Sequence, residues 1–233
     1  MTSAIYEITL RNRSGSAQNY VIFNEAPKIN DVVSSDIWLN VFQRKMVPNN
    51  GAAVFEFSTE YTAVCGAADK APKNGVTVTV GEPRTVTLGT AENSGKLKTP
   101  GSSFLVKIVD GFPVFSEDHI QPGGKINAFE IRTGDIKNSD AVNGNWMIGL
   151  GSGGLDGTGL GGPAATFKPQ GHKSYQIEPV KKYWISTADY KQGSMIKVAA
   201  VADKATLVDF SKRASRSIVL EHGEYGEITP QDE

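Results

Sequence analysis

The sequence predicts an all-β fold: an antiparallel β-sandwich of jelly-roll-like or immunoglobulin-like type with little helix, and a β-barrel as the alternative. Three observations predict it. Short runs alternate apolar and polar residues with a period of two, the pattern of a strand that buries one face and wets the other. Clusters of Gly, Pro, Asn and Ser punctuate those runs at short intervals. Evidence for helix is thin. The chain has 233 residues, 39% of them hydrophobic and 21% charged, enough to bury a sizeable core in one domain without a disulfide or metal staple.

The elements follow in chain order. Tyr6, Ile8 and Leu10 alternate with Glu7, Thr9 and Arg11, and a turn follows at 12–16. Tyr20, Val21, Ile22 and Phe23 form a short apolar run of β-formers. The stretch 35–45 is ambiguous: Trp38 and Phe42 share a helical face, whereas Ile37, Leu39 and Val41 share a strand face. Ser35 is followed three residues on by Trp38, so no capping box forms, and the strand reading is preferred. Two strands are read at 53–57 and 61–65.

A hairpin is read at 76–88, with Val76, Val78 and Val80 on one face and Val86 and Leu88 on the partner's face, joined through Gly81, Glu82 and Pro83. Further strands are read at 104–109, 126–132 (Phe129 and Ile131 inward, Glu130 and Arg132 outward), 146–150, 175–178, 182–186, 195–201, 206–210 and 217–221. About a dozen short strands suggest a sandwich or barrel, not alternating βα units. Residues 1–228 are read as one domain with a mobile polar loop at 89–103, and 229–233 as a frayed acidic tail.

Composition narrows the function classes. The 24 basic and 25 acidic residues nearly cancel, so there is no electrostatic footprint for generic nucleic-acid binding. Lys212, Arg213 and Arg216 read as a solvated turn. No stretch approaches the ~18 apolar residues of a membrane span. The lone Cys65 cannot form an internal disulfide, and the first residues lack a signal-peptide pattern, so a cytoplasmic location is expected.

The most unusual segment is 149–163, where eight of the first fourteen residues are glycine. Glycine permits close backbone approach, and such a loop can present N–H groups to an anion. Gly149, Gly151 and Gly154, and again Gly157, Gly159 and Gly162, match a dinucleotide fingerprint in form. That motif needs a helix directly after the glycines, and residues 163–169 look extended instead. Asp156 is the segment's only carboxylate, too few for calcium, which takes about six to eight oxygen ligands.

His119, His172 and His222 are far apart, and none has metal-ligand spacing. His119 and His222, each beside acids, read as solvated turns. Cys65 reads as a small buried hydrophobe.

Tyr183 and Trp184 are adjacent in a strand and so face opposite ways, leaving only one for the main core. The other could stack on a sugar or a flat ligand. Trp146, just before the glycines, is a further candidate to frame a pocket, while Trp38 is assigned to the core. The expected ligand-binding set is Trp146, Gly151, Gly154, Asp156, Gly159, Tyr183 and Trp184. No catalytic constellation is visible and no cofactor or metal is expected.

The reading is a non-enzymatic, cytoplasmic binding protein, lectin-like or structural. Its partner is a small molecule, glycan or protein, not nucleic acid, and self-association as a homo-oligomer is compatible with it. The alternative is a motif-less enzyme of cyclase or isomerase type with a pocket in the β-fold.

Overall fold

The computed structural model describes residues 4–154 and 162–231. The first strands are β1 (Ile5–Asn12), β2 (Gln18–Asn24), β3 (Lys28–Ile29), β4 (Trp38–Val47) and β5 (Ala52–Ala68). Short strands follow: β6 (Val78–Val80), β7 (Arg84–Thr85), β8 (Thr90–Ala91) and β9 (Leu97–Thr99). Next come β10 (Ser103–Val109), β11 (Phe112–Phe115), β12 (Phe129–Thr133), the short helix α1 (Asn138–Asn143), β13 (Trp146–Gly154), β14 (Pro163–Phe167) and β15 (Ser174–Glu178). The chain closes with β16 (Lys182–Thr187), β17 (Met195–Ile196), β18 (Ala205–Asp209), β19 (Ser217–His222) and β20 (Ile228–Pro230).

The all-β expectation holds, and features of both the sandwich and the barrel are present. The large sheet runs β18-β16-β2-β4-β14-β13-β5-β1-β19-β20, with β17 on β4 and with β6 and β7 on β5. It curls until its ends meet, where the Thr206 hydroxyl of β18 donates to the Ile228 carbonyl of β20 at 2.5 Å. A second sheet, β11-β10-β12-β15-β3, packs on its outside. Most pairings are antiparallel, but β1–β19 and β10–β12 are parallel.

Two main cores result. Tyr20, Ile22, Phe57, Tyr183 and Leu220 fill the interior of the curled sheet. Val21, Phe23, Ile148 and Phe167 on its outer side pack with Phe129, Ile131 and Tyr175 of the second sheet. β2 lies between the cores and sends alternate side chains into each. That is why its apolar run is continuous where a half-wet strand would alternate. β5 replaces the two strands read at 53–57 and 61–65. Its 17 residues carry Phe57 into the inner core and Tyr61 and Cys65 into the outer one.

The hairpin read at 76–88 is corrected. Val76 and Val78 are buried as expected, but the two halves do not pair with each other. β6 pairs with Gly66–Ala68 and β7 with Thr62–Ala63, both on β5. Alternation encodes a face, not a partner, and the long β5 offers a free edge. Gly66 permits the approach, because a Cβ there would lie 2.0 Å from the Thr79 carbonyl.

The polar segment 89–103 carries the β8–β9 hairpin, anchored by bonds from Gly89 N to Ala128 O (3.0 Å) and from Gly101 N to Gly124 O (2.9 Å). Pairing with β19 continues through Pro230, two residues past the point where fraying was expected. Residues 232–233 lie outside the described residues.

The first glycines of 149–163 belong to β13, not to a loop. A Cβ on Gly149 would sit 2.1 Å from the Ala165 carbonyl of β14. Gly149→Ala is therefore expected to force the two strands apart and cost about 1–3 kcal/mol. The readout is a lower urea midpoint with an unchanged m-value.

Candidate functional site

A cleft of about 460 Å³ opens where the β3–β4 connection meets the ends of β14 and β15. Asp31 turns the chain after β3 with a φ of 59°, a conformation that aspartate tolerates better than most residues. A 3-10 turn at Ser34–Asp36 follows, closed by Asp36 N to Val33 O at 2.8 Å. Ile37 is buried and anchors that turn, and Trp38, half-buried, opens β4 beside the cleft.

The apolar wall is Trp38, Met147, Phe167 and Tyr175. Phe167 and Tyr175 meet edge to face, with centroids 4.9 Å apart. The Tyr175 hydroxyl accepts from the Gln170 backbone N–H at 2.9 Å, and burial raises its pKa. The rim carries Asp31, Ser35, Asp36, Lys168 and Gln170, all exposed. Asp31 accepts one hydrogen bond, from Asn30 at 3.3 Å. The side chains of Ser35, Asp36, Lys168 and Gln170 form no hydrogen bond among the described residues, so their donors and acceptors face solvent.

Lys197 braces this wall. Its ammonium lies 4.1 Å from the Trp38 ring centroid and donates to the Ser35 carbonyl at 2.6 Å and the Ile37 carbonyl at 2.5 Å. Burial lowers its pKa, opposed by the carboxylate of Asp36.

None of the expected ligand-binding residues that the structure describes lines this cleft. Trp146 is buried, and its indole N–H donates to the Gly111 carbonyl at 3.1 Å, tying β13 to the β10–β11 turn. Tyr183 and Trp184 do face opposite ways. Tyr183 is sealed in the inner core, and Trp184, half-buried, donates to Glu25 Oε2 at 3.0 Å. Gly151 is a buried strand residue, and a Cβ there would lie 2.2 Å from Thr62 Oγ1. Gly154 ends β13 opposite Phe57. Asp156 and Gly159 lie outside the described residues.

Trp38, assigned to the core, packs against the cluster of Val76, Val78, Met147 and Met195 and also borders the cleft; the polar Ser34, Ser35 and Asp36 just before it are the sequence signal for that border.

Two further expectations are corrected. His222 is not in a solvated turn. It follows Ile218 and Leu220 on the inward face of β19, is buried, and meets the Tyr20 hydroxyl through Nδ1 at 2.7 Å. Burial lowers its pKa, against the opposing effects of the Gly226 backbone and Glu227; burial likewise pushes up that of Tyr20. Glu130 was read as outward and is buried between hydroxyls and Arg132. His119 is exposed, and His172 pairs with Asp135 at 2.9 Å on the surface.

Cys65 is buried, which pushes its thiol up to about 12. Among the described residues no group of His, Cys, Asp and Glu converges as a metal site. No described helix is long and apolar enough to cross a membrane.

A family model described as RhiA matches residues 3–231. No curated protein and no solved structure matches the chain at a significant level.

Proposed function

The chain belongs to the RhiA family, and within that family we propose that it acts as a non-enzymatic binding protein whose ligand is a small, neutral, hydroxyl-rich molecule such as a saccharide. The observation that carries this reading is the pairing in one cleft of an aromatic wall containing Trp38 with free polar side chains at Ser35, Asp36, Lys168 and Gln170. An indole offers a flat apolar surface for the C–H face of a sugar. Carboxylate, amide, hydroxyl and ammonium groups around it match alternating hydroxyl donors and acceptors. Charges of both signs on the rim suit a neutral ligand better than a strongly anionic one.

The groups with strongly displaced pKa values support a binding role over catalysis. Tyr20, Tyr61, Tyr183 and Cys65 owe their shifts chiefly to burial and lie outside this cleft, and Tyr175 in its wall and Lys197 beside it are likewise shifted by burial. A poised acid–base pair would combine displacement with access to a ligand. The unpaired thiol of Cys65 accords with a reducing, cytoplasmic setting.

Isothermal titration with a panel of methyl glycosides tests the reading. Binding is expected for at least one member, and Trp38→Ala is expected to weaken it about tenfold, from the ~1.4 kcal/mol that aromatic stacking contributes. If the wild-type protein binds no member, or Trp38→Ala binds as well as wild type, the reading fails.

A further inference from the structure

We propose that Lys197 is a positioning residue for the cleft: its ammonium holds the Ser35 and Ile37 carbonyls and the Trp38 ring in one arrangement and so fixes the wall a ligand would touch. The ligand arm of this inference rests on the binding reading above; the structural arm does not.

Ser34–Asp36 is a three-residue 3-10 turn with no side-chain cap at Val33. So short a turn has poor hydrogen-bond geometry and little cooperativity of its own. It lies in the cleft rim, with Val32 and Ile37 on the core at either side but its own three residues and Val33 exposed. A contact from another part of the chain would fix the exposed residues between them.

Lys197 is placed to do so. Ile196 pairs with Leu39 in antiparallel register, which brings the next residue, Lys197, alongside Trp38. Its backbone N–H is bonded to Asn74 Oδ1 at 2.9 Å, so the base of the side chain is fixed before its tip reaches across. An ammonium has three donors and no acceptor. Two of them go to carbonyls on either side of Asp36, at 2.6 and 2.5 Å. The charge also lies 4.1 Å from the Trp38 ring, within range of a cation–π contact. One side chain thus joins the acidic turn to the aromatic wall, and Asp36 is the charged neighbour that favours its protonated form.

Hydrogen exchange on the full chain reads this directly, at the amides of Asp36 and Ile37, which are bonded to Val33 and Ser34 carbonyls. Lys197→Met keeps the length of the side chain but removes every donor. It is expected to speed exchange at both amides about tenfold as the hydrogen bonds and the cation–π contact are lost, while the global urea midpoint stays close to wild type. Lys197→Arg is expected to restore protection to within about twofold, since guanidinium can span two carbonyls and stack on an indole. Affinity for any methyl glycoside that binds should fall with Met and return with Arg.

Unchanged exchange in Lys197→Met would overturn the proposal, as would failure of Arg to rescue. If Met and also Lys197→Gln, which keeps an amide donor, both unfold the protein, Lys197 is a folding determinant and the proposal is equally overturned. A wild-type protein that binds no glycoside would remove the binding reading alone, because the exchange arm needs no ligand.

Discussion

Phe57→Ala is expected to cost about 3–5 kcal/mol of folding free energy, the range for deleting a fully buried aromatic ring. The ring lies at the centre of the curled sheet. Tyr183 is 4.1 Å away, Phe42 and Phe210 are each 5.9 Å away, and Tyr6 stacks at 6.1 Å, centroid to centroid. Those four rings arrive on β4, β16, β1 and the turn after β18, so no single strand can shift to fill the space. The loss therefore combines transfer of the ring to water with a cavity that does not collapse. Urea denaturation should show a lower midpoint at constant m-value. A loss below about 1 kcal/mol would mean that the interior is loosely packed and able to rearrange. Val54→Ala, three residues earlier on the outer face and 38% exposed, serves as the control and should fall within about 0.5 kcal/mol of wild type.

Glu130→Ala is the second large expected loss, at about 3 kcal/mol. Its side chain is 6% exposed, and its carboxylate joins three neighbouring strands. Oε2 accepts from Ser103 of β10 at 2.6 Å and from the Arg132 guanidinium at 2.9 and 2.8 Å. Oε1 accepts from Ser174 of β15 at 2.5 Å. Removing one partner of a buried pair costs about 3–5 kcal/mol. The lower end applies because Arg132 is 40% exposed and can return to water.

The pH dependence has a definite sign. Burial raises the Glu130 pKa, but hydrogen bonds from Arg132, Ser103 and Ser174 outweigh it and leave it lowered. A depressed folded-state pKa contributes stability above the unfolded value, near 4.3, and loses it as pH falls through the folded value. Glu130→Gln should thus be less stable than wild type at pH 7, and the gap should narrow in acid. A gap that stays constant between pH 7 and pH 2 would rule out this linkage.

Faces were easier to read from the sequence than partners. The opposite orientations of Tyr183 and Trp184 follow from adjacency in a strand, and the buried faces of β1, β10 and β12 follow from alternation. The partner of β6 did not follow, because Val76, Val78 and Val80 look the same whether they pair with a hairpin arm or with β5. The parallel pairing of β1 with β19 joins residues more than 200 positions apart, and no local pattern encodes it. Glu130 looked like a surface residue because charge in an alternating strand usually is; its burial depends on Ser103 and Ser174, which are distant in sequence. The cleft was not legible: its Trp38 reads from the sequence as core and its Tyr175 as an ordinary strand residue. The residues that build it come from 31–38, 72, 147, 167–170 and 175, a set that only the fold assembles.

The neighbours of β1 have a bearing on how the chain is made. Residues 5–12 lie between β5 and β19, so during synthesis β1 can pair early with β5 but must wait for residues 217–222 on its other side. Until then it offers an open edge with Ile8 and Leu10 unsheltered. Contacts this distant in sequence close slowly, so that edge stays open until residue 217 has been made, and translation stalled before it should yield a species prone to aggregation and proteolysis.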